Sequence, residues 1–364
     1  MVFTISLRRK AMLAPLLALT LGLTACGGTQ TPTSPDASPD AAGGNAGGQS
    51  VSLTGAGATF PAPIYQTWFS EYNKENPNVQ VSYQSVGSGA GVEQFTQGTV
   101  DFGASDVAMT DEEIAGVERG VVLLPVTAGS IVYGYNLPDV PELRLSRQVY
   151  VDIALGNITQ WNDPAIASLN PDANLPDSNI TFIYRSDGSG TTGVFTQHLA
   201  AVSPEWAEKV GEGKTVQWPT GIGAKGNEGV TAQILQTEGS IGYIEYGYAK
   251  QQDISHAALE NRAGNYVKST PETSADSLAS TTLPENLRAF VDDPEGENSY
   301  PIVTYTWILA YENYDDPNKL QAFKDVMNWS LTEGQAFADE LGYIPLPDNV
   351  VEQAQAKLET IQAQ

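Results

Sequence analysis

The sequence runs to 364 residues, enough for about two domains, and 41% of them are hydrophobic, so a real core can form. Acidic residues outnumber basic ones by 43 to 18, a field that repels nucleic acid and anionic membrane surfaces and argues against both as charge-driven partners. The single cysteine allows no intramolecular disulfide and no cysteine metal site, and an anion site in such a chain must work through local donors rather than net attraction.

The first 25 residues read as an export signal. Arg8-Arg9-Lys10 precede an apolar run from Ala11 to Leu23, broken only by Pro15, Thr20 and Gly22. That run is shorter than the roughly 20 residues a membrane span takes and fits a signal core of about 7–15. Leu23-Thr24-Ala25-Cys26 follows at once and resembles a bacterial lipobox, whose cysteine is lipidated and becomes the first mature residue. The expectation is a lipoprotein signal peptide over 1–25, then a lipidated Cys26 and flexible linker over 26–50. The plainer alternative is an ordinary signal peptide with an incidental cysteine. From Gly27 to Ser50 the chain is mostly Gly, Thr, Ser, Pro, Ala and Asp, without aromatic residues, too poor in apolar surface to offset its ordering entropy.

Folding is expected to begin near Val51. Val51–Gly55 reads as extended, Pro61–Asn76 as helix, Val79–Gln84 as a strand, Gly91–Gly98 as helix and Val100–Ala104 as extended. This alternation argues for a mostly parallel sheet flanked by helices. Further strands are expected at Ser130–Asn136, Ile180–Tyr184, Ser240–Tyr246 and Tyr305–Tyr311. Helices are expected over Leu145–Leu155, Pro164–Leu169, Thr191–Val202 and Gly229–Thr237. The polar stretch Asp253–Ser299 reads as surface decoration with short helices. Two helices close the chain: Lys319–Thr332, with Leu320, Phe323, Met327 and Ser330/Leu331 on one face and Gly334 as its stop, and a last one carrying Val351, Ala354, Leu358 and Ile361.

Three small-residue loops open into expected helices. They are Gly55-Ala56-Gly57-Ala58-Thr59-Phe60-Pro61, Gly87-Ser88-Gly89-Ala90-Gly91, and Arg185-Ser186-Asp187-Gly188-Ser189-Gly190-Thr191-Thr192. A helix N-terminus presents unpaired N–H groups and a partial positive charge, so it suits an anion. Each loop alone reads rather as an ordinary turn with a Ser/Thr cap; three together, one beside an arginine, point to an oxyanion. None has the spacing of a nucleotide loop.

A fourth segment, Asp101-Phe102-Gly103-Ala104-Ser105-Asp106, ends an expected strand with an acid. Alone it reads as a helix-capping Asp. Beside an anion site it would accept a hydrogen bond from monohydrogen phosphate but face bare lone pairs in sulfate. Leaving such a group unpaired costs about 1–3 kcal/mol, and sites built around a substrate hydrogen discriminate by roughly 10⁴-fold.

GAGATFPAP, VDFGASD, RSDGSGTTGVFT, QWPTGIGAKGNEGV and GSIGYIEYGYAK together resemble the periplasmic phosphate-binding proteins of bacterial ABC phosphate transporters, from about Val51 to Val351. The resemblance implies an α/β, two-lobed periplasmic-binding-protein fold (type II), each lobe a sheet with helices, joined by two crossover segments. The lobe boundaries are expected near residues 130 and 303: 51–130 plus 303–364 for lobe I, 131–302 for lobe II. It implies capture of inorganic phosphate outside the cytoplasmic membrane and delivery to an ABC phosphate permease, by a monomer with no cofactor and no metal. Thr59, Phe60, Ser88, Asp106, Arg185, Ser189, Gly190 and Thr191 would hold the phosphate, and Asp187 would hold the Arg185 guanidinium.

A binder of another oxyanion, such as sulfate or arsenate, is the nearest rival; Asp106 argues against sulfate, whereas arsenate would carry the same proton. A secreted phosphoesterase is another, but the two histidines, His198 in an expected helix and His256 in a polar stretch, supply no His-rich zinc site and make a Ser-His-Asp triad a poor fit. A surface adhesion protein of the same fold would show no saturable phosphate binding.

Overall fold

The computed structural model describes residues 50–279 and 281–364. The expected signal peptide, Cys26 and all of the expected linker but Ser50 lie outside the described residues. Among the described residues no helix is long and apolar enough to cross a membrane.

The chain builds β1 (Val51–Gly57), α1 (Ala62–Glu75), β2 (Val79–Ser85), α2 (Ser88–Thr96), β3 (Phe102–Ser105) and β4 (Val122–Tyr135). It continues through α3 (Arg147–Leu155), β5 (Thr181–Arg185), α4 (Gly190–Val202), β6 (Ile222–Ala224), α5 (Gly226–Gln236), β7 (Ser240–Glu245) and α6 (Tyr246–Gln251). It closes with β8 (Val303–Ala310), α7 (Pro317–Leu331) and α8 (Asp348–Glu359). Eight strands form one run in the order β2-β1-β3-β8-β4-β7-β5-β6. Pairings are parallel at both ends (β1 with β2 and β3, β5 with β6 and β7) and antiparallel in the middle, where β8 and β4 meet.

β4 joins the two halves. Its residues 122–130 pair with β8, and from Ile131 to Tyr135 it pairs with β7 instead. All 14 residues are buried, and each large apolar side chain so buried contributes roughly 1.5–3 kcal/mol. The sequence reading reached only its second half, because Pro125 and Gly129 interrupt a run that is otherwise apolar. Pro125 has no N–H for the ladder, and there the pairing slips: Thr306 faces Thr127 but Trp307 faces Pro125. Val126 is left as a bulge, and its carbonyl accepts from Gln335 Nε2 at 3.0 Å.

Each half has its own aromatic packing. Phe95 stacks on Tyr311 in one and Phe195 on Tyr243 in the other, both at 4.2 Å between centroids. The apolar stripe of α7 is buried as expected, at Leu320, Phe323, Met327, Ser330 and Leu331.

Some expectations need correction. Gly334 is not the stop of α7, which ends at Leu331; it lies in the 3₁₀ turn Glu333–Phe337, where its carbonyl accepts from Trp68 Nε1 at 2.6 Å. In α8 it is Val350, not Val351, that is buried alongside Ala354 and Leu358. Residues 253–299 are no mere decoration. Ala257, Leu259, Val267, Leu278 and Leu287 are buried, and Asn261 Nδ2 ties the carbonyls of Gly296, Glu297 and Ser299. Apolar residues spaced this widely carry no periodicity to read.

Candidate functional site

The three small-residue loops converge where the halves of the sheet meet. Thr59 and Phe60 follow β1 and precede α1; Ser88 opens α2; Asp106 follows β3. From the other half, Arg185 ends β5, while Ser189 caps α4 and Gly190 and Thr191 open it. All of these are buried, Arg185 to 3% exposure.

No side chain caps the first turn of α1 or of α2, so no capping oxygen of their own occupies these helix starts. α2 begins at Ser88 rather than at the expected Gly91, because Gly87 turns the chain there. Its φ of 95° is left-handed, and a Cβ on it would strike the Asp187 carboxylate. At Gly190 a Cβ would come within 2.5 Å of Ser88 Oγ and 2.7 Å of Asp106 Oδ2. Only glycine lets the two halves approach this closely. Gly89 N donates across the same gap to Gly188 O at 2.9 Å.

Arg185 carries the one positive charge of the cluster. Its Nε and Nη2 donate to the two oxygens of Asp187 at 2.8 and 2.6 Å, a paired geometry that fixes the guanidinium plane. Burial alone would raise the Asp187 carboxyl, but the hydrogen bonds and charge of Arg185, with the Gly226 amide, hold it below the ordinary value. The Arg185 Nη1 points along the cluster to Thr191 Oγ1 at 3.4 Å.

Asp106 is the counterweight. Its Oδ1 accepts from Thr306 Oγ1 at 2.9 Å, its carbonyl accepts from Thr304 Oγ1 at 3.3 Å, and its N–H donates to Ser88 Oγ at 3.3 Å. No group reaches Oδ2 with hydrogen-bonding geometry. Burial pushes this carboxyl up to about 7, against the opposing pull of the Thr306 hydrogen bond, the Arg185 charge and the nearby Thr191 and Ser88 hydroxyls. A buried carboxylate oxygen without a partner, beside an arginine and a ring of donors, can accept the hydrogen of a protonated oxyanion while the donors hold its bare oxygens.

Thr59, Ser88, Asp106, Arg185, Ser189, Gly190 and Thr191 therefore come together, with Asp187 behind Arg185. Phe60 lies beside Thr59 and places its ring against Tyr343 at 6.2 Å. The histidines stand apart: His198 Nε2 pairs with Tyr150 OH at 2.9 Å, and His256 Nε2 with Ser269 O at 3.3 Å. Burial depresses both to about 4. Among the described residues no group of acids, histidines and cysteines could hold a metal ion.

Sequence reading missed three neighbours. Thr306 and Thr304 orient Asp106; two threonines alternating along a wholly buried strand were the available signal. Asn227, near the start of α5, hydrogen-bonds residues from both halves and lies inside the AKGNEGV segment, but nothing in the sequence singles it out.

The PBP superfamily domain matches residues 39–333. The phosphate-binding protein PstS of Pasteurella multocida is 44% identical over 316 residues, 86% of this chain and 91% of the relative. Its namesake in Methanocaldococcus jannaschii is 40% identical over 328 residues, 83% of this chain and 84% of its own. Among solved structures, a high affinity periplasmic phosphate-binding protein bound with phosphate superposes at a TM-score of 0.69 with 19% identity, covering 84% of this chain and 93% of that one. A phosphate-binding protein from Stenotrophomonas maltophilia does so at 0.65 with 17% identity and the same coverage. At such identities the structural likeness speaks for the fold alone: a two-lobed periplasmic-binding architecture.

Proposed function

The chain belongs to the PstS family of phosphate-binding proteins within the PBP superfamily, and from that premise we propose that it captures inorganic phosphate between its lobes and delivers it to an ABC phosphate permease. Residues 51–130 with 303–364 form one lobe and 131–302 the other. The handover of β4 from β8 to β7 at Ser130 and Ile131 supports that division.

In this reading the N–H groups of Thr59 and Phe60 and the hydroxyls of Thr59, Ser88, Ser189 and Thr191 donate to the phosphate oxygens. Gly190 adds its amide, and Arg185 adds the charge-assisted contact. Asp106 accepts the ligand's hydrogen. Phosphate meets one lobe first, and rotation of the other brings in the remaining donors and excludes water. The observation that carries the reading is Asp106 Oδ2, an unpartnered buried acceptor amid donors. Sulfate at neutral pH has no hydrogen to give it, whereas phosphate does.

Calorimetric titration of the ligand-stripped protein tests this. Phosphate and arsenate should each saturate at one per chain, with sulfate weaker by orders of magnitude; equal affinity for sulfate would end the assignment. The protein is proposed not to be an enzyme, which the remoteness of both histidines supports. Steady release of p-nitrophenol from a model phosphoester, abolished by EDTA, would replace that view. The export signal and the lipid anchor at Cys26 extend the proposal to a monomer held outside the cytoplasmic membrane. Cys26→Ser should shift the protein from the membrane fraction to the soluble one.

A further inference from the structure

The hydroxyls of the site are already engaged by the protein, and the way they are engaged fixes what they can offer a ligand. A hydroxyl has one hydrogen to donate and two lone pairs to accept with. Thr59 Oγ1 accepts from the main-chain N–H of Asn227 at 3.0 Å and again from Asn227 Nδ2 at 2.9 Å. Both lone pairs are occupied, so the hydrogen of Thr59 can only point outward as a donor. Thr191 Oγ1, from the other half of the molecule, accepts from the same Asn227 Nδ2 at 3.1 Å and from Arg185 at 3.4 Å. It too is left with only a hydrogen to give.

Asn227 is fully buried, and its amide cannot be turned over. Its Oδ1 accepts from the Glu245 main-chain N–H at 3.0 Å. Flipping the amide would set Nδ2 against that N–H, donor against donor, and would take the amide hydrogens away from both threonines. One NH₂ group, with its two hydrogens, therefore serves one threonine from each half. The remaining hydroxyls follow a weaker version of the same pattern: Ser88 Oγ accepts from the Asp106 N–H and Ser189 Oγ from the Thr192 N–H.

We infer that Asn227 is a positioning residue for anion binding, which acts by making Thr59 and Thr191 obligate hydrogen-bond donors from opposite lobes. The inference deepens the phosphate-binding reading above and rests on it. It gives a chemical reason why one acid can sit in an oxyanion site without inverting its polarity: every hydroxyl is set to donate, and Asp106 is left as the acceptor.

The test is a double-mutant cycle read by phosphate titration. Asn227→Ala should weaken phosphate binding about 10-fold, the scale of a hydrogen bond to a charged acceptor. Asn227→Asp keeps the shape but puts an acceptor where the donor stood, so both threonines turn inward, and the loss should reach about 100-fold. In a Thr59→Val, Thr191→Val background, Asn227→Ala should cost less than about 3-fold further, because the groups it acts through are gone. An undiminished 10-fold cost there would show a packing role and overturn the inference. If Asn227→Ala fails to fold, the isosteric Asn227→Asp carries the test alone: affinity near that of the parent overturns the inference. A parent chain that binds no phosphate would instead remove the reading beneath it.

Discussion

The two halves of the sheet bring different chemistry to their junction. The half holding β1, β2 and β3 supplies two helix starts without side-chain caps and a buried acid with one oxygen left over. The half holding β5, β6 and β7 supplies the only guanidinium, held by Asp187, and a helix whose first turn is already capped by Ser189. In the proposed reading the first half recognises the ligand and the second holds it. Separating the two roles lets selectivity and strength be altered independently, which a site drawn from one loop could not allow.

The largest effect should come from the holding side. Arg185→Ala removes the buried charge and leaves Asp187 unpaired, and truncating one partner of a buried charged pair costs about 2–5 kcal/mol. Phosphate affinity should fall by about 100-fold or more in calorimetry, with the preference for phosphate over sulfate retained. Unchanged affinity would remove Arg185 from its role. On the recognising side, Asp106→Asn exchanges an acceptor for an amide donor. Phosphate should weaken by about 10-fold and sulfate should gain, so the ratio between them collapses; a variant as selective as the parent would contradict the proton-acceptor argument.

The smallest effect is one of pH. Burial in this arrangement raises Asp106 from its ordinary 3.8 to about 7, and in the proposed cycle opening would solvate the carboxyl and release its proton. The closed form of the phosphate-free protein is therefore favoured at low pH, and that advantage is lost as pH rises through about 7. Small-angle scattering of stripped protein should show a larger radius of gyration at pH 8 than at pH 5, and Asp106→Asn should flatten the difference. A parent chain whose radius ignores pH would separate the shift from closure.

The sequence was legible wherever local chemistry decides structure. The glycine-rich loop before α4, the alternation of β2 and the buried stripe of α7 all follow from residues within a few positions of one another. The loops that gather at the candidate site stand out by composition, whereas the individual roles of Thr59, Ser88, Asp106, Arg185 and Ser189 were implied by the family resemblance. What escaped depends on partners far along the chain. The first half of β4 is hidden by Pro125, and the strand holds because β8 pairs along it on one side of the resulting slip and again on the other. Thr306 acquires its role only because β8 lies beside β3. Asn227 matters because 168 positions separate it from the threonine it orients, a relation no window of sequence contains.

The hydrogen bond from the Gly89 amide to the Gly188 carbonyl joins main chain to main chain across the mouth of the site. In the proposed cycle it exists only while the jaws are shut. The deuterium uptake of that single amide would act as a clock for release, ticking at the rate at which cargo becomes free to leave.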